Sequence, residues 1–405
     1  MAPRVVRRPS PEYGKPSPRP MTALVRALRL VVAGIVAWGM MPVDRVAAAP
    51  MTFVVVTLAD VDGNCTAAQC SLRQAINSAN KNPGRDTITF AFAGDAIPHT
   101  IQPTKELPPI KQSVVIDGTT EPSFALFGHP VVELDGSRAP AKAVGLRIRG
   151  GGSEIRGLAI NGFGVRGSAS GGGSGIVIER GGGNVIEGNY LGTDVFGHAG
   201  RGNRLAGVSI QRSSDNRIGG PLPHQRNLIS ANGTGVGISG SGGVATRNRI
   251  IGNYIGTDAE GDNQLGNEIG VDISQAAGNA VGGAAAGEGN VISANAGAGV
   301  EIQGTGSRRN VVAGNLIGTD ATGTASFGNF RGVFFTSGAF DNTVGGTAVG
   351  AGNVIAFNSE TGILVAETAG QRSVRIDILG NSIRSNGIPG LSVLGIDLPP
   401  HAGVT

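Results

Sequence analysis

Aromatic residues make up only 4 % of this 405-residue chain and charged residues only 15 %, while 40 % is hydrophobic. So little charge with so much aliphatic content excludes a disordered chain. Tryptophan occurs once, at Trp38, and cysteine twice. There is no Gly-x-y period, so the 69 glycines do not signal collagen. The length suits two or three ordinary domains or one elongated domain built from repeats.

The net charge of +4 dissolves once it is located. Residues 1–49 hold eight basic groups (Arg4, Arg7, Arg8, Lys15, Arg19, Arg26, Arg29, Arg45) and two acidic ones, Glu12 and Asp44. Subtracting these from the totals of 33 and 29 leaves 25 basic against 27 acidic groups, a net of −2. No electrostatic case for nucleic acid remains.

The stretch LVVAGIVAWGMMPV, residues 30–43, comes after Arg26 and Arg29 and precedes Ala47-Ala48-Ala49. A positive region, a short apolar core and a small-residue site predict a secretory signal peptide over residues 1–49. The apolar run is short for a membrane anchor. Cleavage is expected after Ala49, with Ala48 nearly as good, and Met21 also starts a leader of ordinary proportions. The mature chain is then exported, extracellular or at the cell surface, outer-membrane association included, and has no transmembrane segment. In such a compartment Cys65 and Cys70 read as one short disulfide.

Residues 53–58, FVVVTL, read as a strand. Ser71 with Gln74 three residues on forms a capping box, and Leu72, Ala75, Ile76 and Ala79 fall on one helical face. A short amphipathic helix over 71–80 is expected to close one end of the fold formed by the remaining chain.

From residue 175 onward the chain is regularly periodic. Asn216-Arg-Ile-Gly-Gly returns at Asn279 and Asn342, and Asn227-Leu-Ile-Ser-Ala-Asn232 returns at Asn290 and Asn353, always 63 residues on. Gly188-Asn-Tyr-Leu-Gly-Thr-Asp194 recurs at 252–258 and 314–320. A half-period is visible in GVSI, GVGI, GVDI, GVEI and GVFF, which begin at 207, 235, 270, 299 and 332. Each unit carries three short strands, such as GVSI, NRIGG and NLIS, with aliphatic residues alternating with small or polar ones. Stacking such units gives an all-β fold, a right-handed parallel β-helix of about ten coils, roughly 45–50 Å long. Glycine and asparagine suit its corners. Asn216, Asn279 and Asn342, and likewise Asn227, Asn290 and Asn353, are placed to form asparagine ladders. The expected organisation is a leader at 1–49, a cap at 50–97, irregular first coils at 98–174, regular two-coil repeats at 175–399 and a bare C-terminal end at 400–405. That end implies a missing domain or another subunit as its cover.

The segment CSLRQAI at 70–76 resembles the CSLREA motif that opens many exported bacterial proteins. The IGTD, GNVIS and LGID segments at 255–258, 289–293 and 394–397 look like the β-helix repeats that come after it in them. The resemblance spans about residues 53–399. It implies a secreted or cell-surface β-helix of pectin-lyase-like architecture, a family with no established common reaction. Gln74 stands where the motif has Glu, and Gln still completes the capping box.

That architecture serves polysaccharide lyases and hydrolases, but fold does not decide function. Asp194, Asp258 and Asp320 are the best acidic series. On alternate coils they stand ~9.6 Å apart, inside the ~6.5–9.5 Å inverting range to within the spacing's precision, yet an Asp after Gly-Thr at a loop start is foremost a turn residue. The DD, GHG and RxK segments of polygalacturonases are missing, as are Gly-x-Ser-x-Gly and Walker motifs. Asp258, Glu260 and Asp262 offer oxygens for a weak Ca²⁺ site, the only cofactor suggested. His99, His129, His198, His224 and His401 are dispersed, without metal-ligand spacing. Lys81, Lys105, Lys111 and Lys142 precede the regular repeats, and Arg247, Arg249, Arg308 and Arg309 lie beside no acidic cluster. Tyr190 and Tyr254 occupy the place of Leu316 and are expected to stack inward; Phe334, Phe335 and Phe340 read as core filling. The outer face is therefore expected to be bland. Three functions are open, in this order: a structural, adhesin-like or interaction scaffold; a lyase or glycoside hydrolase acting on acidic polysaccharide; or a non-catalytic carbohydrate-binding protein.

Overall fold

The computed structural model describes residues 49–94, 97–164, 172–240, 244–368, 370–387 and 395–398. The predicted leader, apart from Ala49, lies outside them, as do His401 and the C-terminal end at 400–405.

Three parallel sheets run the length of the solenoid, each made of the same strand from successive coils. The first sheet has eleven strands, from Thr52–Val55 through Arg217–Gly219 to Val374–Leu379. The second has ten, from His99–Ile101 through Tyr190–Leu191 and Tyr254–Ile255 to Ser382–Arg384. The third has nine, from Leu146–Ile148 through Ile269–Ser274 and Ala298–Gln303 to Ile396–Asp397. The architecture is thus the right-handed parallel β-helix expected, with about ten turns.

Alternation decides what faces inward. In the third sheet Val208, Val236, Val271, Val300 and Val333 lie in register. They share the buried core with Ile218 and Ile250 of the first sheet and Leu191, Ile229 and Ile255 of the second. Each such side chain stabilises the fold by ~1.5–3 kcal/mol. The columns are one residue wide, so a slip by one would expel a whole column.

The corners are held by three asparagine ladders. Asn184, Asn216, Asn248, Asn279, Asn310 and Asn342 form the first, each Nδ2 donating to the next Oδ1. Asn189, Asn227, Asn253, Asn290, Asn315, Asn353 and Asn381 form the second. Asn203, Asn232, Asn267, Asn295, Asn329, Asn358 and Asn386 form the third. The 63-residue markers at Asn216 and Asn227 name only alternate rungs and so miss Asn248 and Asn310, while Asn253 and Asn315 stand in the repeated segments at 252–258 and 314–320. The half-period segments Asn248-Arg-Ile-Ile-Gly-Asn253 and Asn310-Val-Val-Ala-Gly-Asn315 carry them openly.

Helix α1, Leu72–Ala79, packs against Thr52–Val55 and Asp86–Phe90. Leu72, Ala75, Ile76 and Ala79 enter the solenoid core. The Ser71 Oγ accepts from Gln74 N at 3.2 Å, and Gln74 Oε1 accepts from Ser71 N at 2.9 Å. Cys65 and Cys70 are disulfide-bonded with Cα atoms 4.4 Å apart. Arg73 is buried in an ion pair with Asp60 at 2.6 Å and donates to the carbonyls of Lys105 and Glu106. A charge on the apolar flank of a helix is stable only when paired in this way.

Candidate functional site

The Gly-Thr-Asp segments open three stacked loops. Gly192, Gly256 and Gly318 have φ of +95°, +95° and +88°, and a Cβ at Gly256 would lie 2.0 Å from the Ser293 carbonyl oxygen. Glycine alone fits there. The aspartates at the ends of these segments lock their own loops. Asp194 Oδ1 accepts from the N–H groups of His198 and Ala199. Asp258 Oδ1 accepts from Gly261, Asp262 and Asn263, while its Oδ2 accepts from Asn263 Nδ2 at 2.7 Å. Asp320 Oδ1 accepts from Thr324 and Ala325. Burial acts to raise the pKa of Asp258, but the Asn263 amide and the backbone N–H groups outweigh it and hold the carboxyl below its usual range.

Asp262 does not join Asp258 and Glu260 as the sequence suggested. Its carboxylate accepts from Asn263 Nδ2 at 2.8 Å, and His198 of the preceding loop occupies the position facing the two acids. His198 Nδ1 stands 3.4 Å from Glu260 Oε2 and 3.9 Å from Asp258 Oδ2. Arg247 and Arg249 each pair across coils with a single acid, Asp215 and Glu288.

The tyrosines face outward. Tyr190, Leu228, Tyr254, Val291, Leu316 and Val354 lie in register on the outer side of the second sheet, with Leu191, Ile229 and Ile255 inside. These strands have two residues, so one must point each way, and the aliphatic partner fills the narrow interior. Only Phe335 of the three clustered phenylalanines is core. Phe334 lies under the Arg331 guanidinium at 4.6 Å, and Phe340 lies under that of Arg375 at 5.2 Å.

Two rows of loops flank the outward tyrosines and make a groove. Its upper cavity, about 190 Å³, is lined by His129, Tyr190, His224, Arg226 and Tyr254. A second cavity of about 380 Å³ continues from Arg226 and Tyr254 past Ala284–Ala286 to Leu316. The Arg226 guanidinium lies 4.0 Å from the Tyr254 ring centroid. Its Nε is buried and has no hydrogen-bond partner among the described residues. Phe127, His129 and Phe196 form an aromatic chain at the rim, with ring centroids 5.7 and 5.5 Å apart. Burial, then the charge of Glu260, pushes the Tyr190 phenol up to about 12, so it keeps its proton at neutral pH. A larger hollow of about 590 Å³ lies at another corner beside Arg247, Arg308 and Arg309. Its walls are Gly, Ala, Thr and Gln without an aromatic floor, and Asp215 already neutralises Arg247.

The third sheet carries a different feature. Asp272 and Glu301 are register partners on its outer face. Burial pushes both carboxyls up, and the Asp272 charge adds to the effect on Glu301. Folding therefore favours their protonated forms, and stability falls as pH rises from the free-carboxylate range through the folded values. Asp272→Asn keeps the acceptor used by Gln303 Nε2 at 2.9 Å. It is expected to raise the unfolding temperature at pH 7 and to leave it unchanged near pH ~3, where carboxyls are protonated in both states. Thermal melts at the two pH values check this; equal shifts at both would refute the repulsion.

The fold defines a class, the three-sheet parallel β-helix proteins. No family model and no curated protein matches the chain. Solved structures do. A double mutant of the periplasmic alginate epimerase AlgG matches at 14 % identity and a TM-score of 0.46, over 80 % of this chain and 74 % of that one. Pectate lyase Pel9A matches at 13 % and 0.40, over 87 % and 80 %. An alginate lyase from Paenibacillus sp. str. FPU-7 matches at 14 % and 0.35, over 86 % and 99 %. At these identities the likeness is one of fold.

Proposed function

We propose that this chain is an exported β-helix that binds an anionic polysaccharide lengthwise in the groove over the second sheet. The export reading rests on the leader pattern of residues 1–49 and is supported by the Cys65–Cys70 disulfide. The binding reading rests on one observation: Arg226 lies in the groove with a buried Nε that has no hydrogen-bond partner, and with no ion pair among the described residues. A guanidinium without a carboxylate is poised to take one from a ligand, in bidentate geometry. The Tyr254 ring beneath it, the protonated Tyr190 phenol and the Phe127–His129–Phe196 rim supply flat apolar and hydrogen-bonding surface for sugar rings. The sequence-based expectation of a bland outer face therefore does not describe this sheet. In affinity electrophoresis, polygalacturonate or alginate in the gel is expected to retard the mature protein, and a neutral glucan is not. Equal mobility in all gels refutes the reading.

Glycoside hydrolysis is a second reading, favoured by Asp272 and Glu301. Adjacent parallel strands put their Cα atoms ~4.8 Å apart, near the carboxyl separation of ~5–5.5 Å used by retaining glycosidases. Burial raises both, which suits the proton-donating partner. Ser209, Gly237 and Asp272 line a cavity of about 300 Å³ beside the pair. New reducing ends from acidic polysaccharide, lost in Glu301→Gln and retained in Arg226→Ala, would support this reading. Cleavage unaffected by Glu301→Gln would dismiss it.

A further inference from the structure

We propose that His198, Asp258 and Glu260 form a binding site for a divalent transition-metal ion of the zinc class at the junction of two stacked loops. His198 comes from the loop locked by Asp194, and the two acids come from the corresponding loop two coils on. The Ala259 N–H donates to the Gly197 carbonyl at 3.2 Å, so the backbone itself holds the two loops in contact. One ligand atom from each residue can be chosen so that all lie within 4.8 Å of one another. A tetrahedral ion bound at ~2.0–2.2 Å separates its ligand atoms by ~3.3–3.6 Å. The 3.4 Å from His198 to Glu260 falls inside that interval, and the 3.9 Å to Asp258 exceeds it by ~0.3 Å, a gap that a small turn of the exposed His198 closes. Both distances are long for good N–H···O hydrogen bonds, so the histidine is near both acids without being consumed by either.

The three residues contribute differently. Asp258 is the fixed member, with a side chain only 3 % exposed. Its Oδ1 takes three backbone N–H groups, while Oδ2 takes only the Asn263 amide and keeps a lone pair. His198 and Glu260 are 57 % and 55 % exposed and can turn onto an ion without disturbing the core. One nitrogen and two oxygens suit zinc or a neighbouring transition ion. Ca²⁺ instead takes six to eight oxygens, so a histidine nitrogen in the set favours the transition ion over it. Three protein ligands leave a coordination position open, and the cluster lies close enough to the groove for the Glu260 charge to act on Tyr190.

The site is tested with metal alone, so its failure leaves polysaccharide binding untouched. Full-length mature protein is stripped with a chelator and titrated calorimetrically with ZnCl₂ and, separately, with CaCl₂. Zinc is expected to bind saturably at one ion per chain and at least ~10-fold more tightly than calcium. His198→Ala and Glu260→Gln, both at exposed positions, are each expected to weaken zinc by ~10-fold or more, with unfolding temperatures of the metal-free variants unchanged. Absent zinc heat, tighter calcium binding, or zinc binding indifferent to His198→Ala would overturn the assignment.

Discussion

Asn290→Ala is expected to lower the unfolding free energy by about 4 kcal/mol, from the ~1–3 kcal/mol that each buried orphaned polar group costs. Asn290 is buried in the second ladder. Its Oδ1 accepts from both the backbone N and the Nδ2 of Asn253, at 2.9 and 3.0 Å. Its own Nδ2 donates to Asn315 Oδ1 at 2.9 Å and to the Ile250 carbonyl at 2.8 Å. Alanine removes all four bonds at a position closed to bulk water. Asn290→Asp is expected to be worse. It keeps an acceptor for Asn253 but turns an oxygen, charged at neutral pH, towards two other oxygens. In a solenoid each coil is stabilised by its neighbours, so a mid-ladder break should also split urea unfolding into two transitions. Asn386→Ala, at the half-buried last rung, is expected to cost about 1 kcal/mol and to leave one transition. A loss below that at Asn290 would show that the ladders are incidental.

Arg226→Ala is expected to weaken binding of polygalacturonate by ~10–100-fold, the equivalent of the ~1.5–3 kcal/mol of a charge-assisted hydrogen-bond pair. Stability should fall by no more than the loss of its stacking on Tyr254, because Arg226 makes no hydrogen bond to the described residues through its side chain. That stacking is worth ~0.5–2 kcal/mol. Arg226→Lys should restore the charge but not the planar two-point contact, giving affinity between the two. Binding by the native chain should also fall with added salt, and the Ala variant should show a shallower dependence. Fluorescence titration with polymers of defined length at two salt concentrations measures both effects. Native affinity in Arg226→Ala would remove the groove as the binding site.

Much of the fold was legible because a β-helix is written in local repetition. Each coil must present aliphatic residues at the same places, so GVSI, GVGI, GVDI, GVEI and GVFF mark successive strands of one sheet directly. Corner asparagines recur for the same reason: Asn232, Asn295 and Asn358 of the third ladder close the repeated segments that begin at Asn227, Asn290 and Asn353, whereas the rungs between them sit in less regular contexts such as Gly202-Asn203 and Gly266-Asn267. The two-residue strands were not legible in orientation. Tyr190 and Leu191 are both apolar enough to be core, and only the width of the interior selects Leu191.

The sequence alone determined the solenoid, its inward aliphatic columns, the capping box of Ser71 and Gln74, and the turn-forming aspartates, because all of these depend on near neighbours in the chain. Tertiary structure alone decided the groove and the metal-ligand cluster. Tyr190 and Tyr254 come from one repeated segment, but Phe127, His129, Phe196 and Arg226 belong to loops outside it, and all six meet only when loops of unequal length stack on one sheet. His198 reaches Asp258 and Glu260 in the same manner, across some sixty residues of sequence but only two coils of rod. Burial fixes the repeating positions through the period of the chain, whereas exposed loop residues are brought together by how neighbouring coils lie on one another.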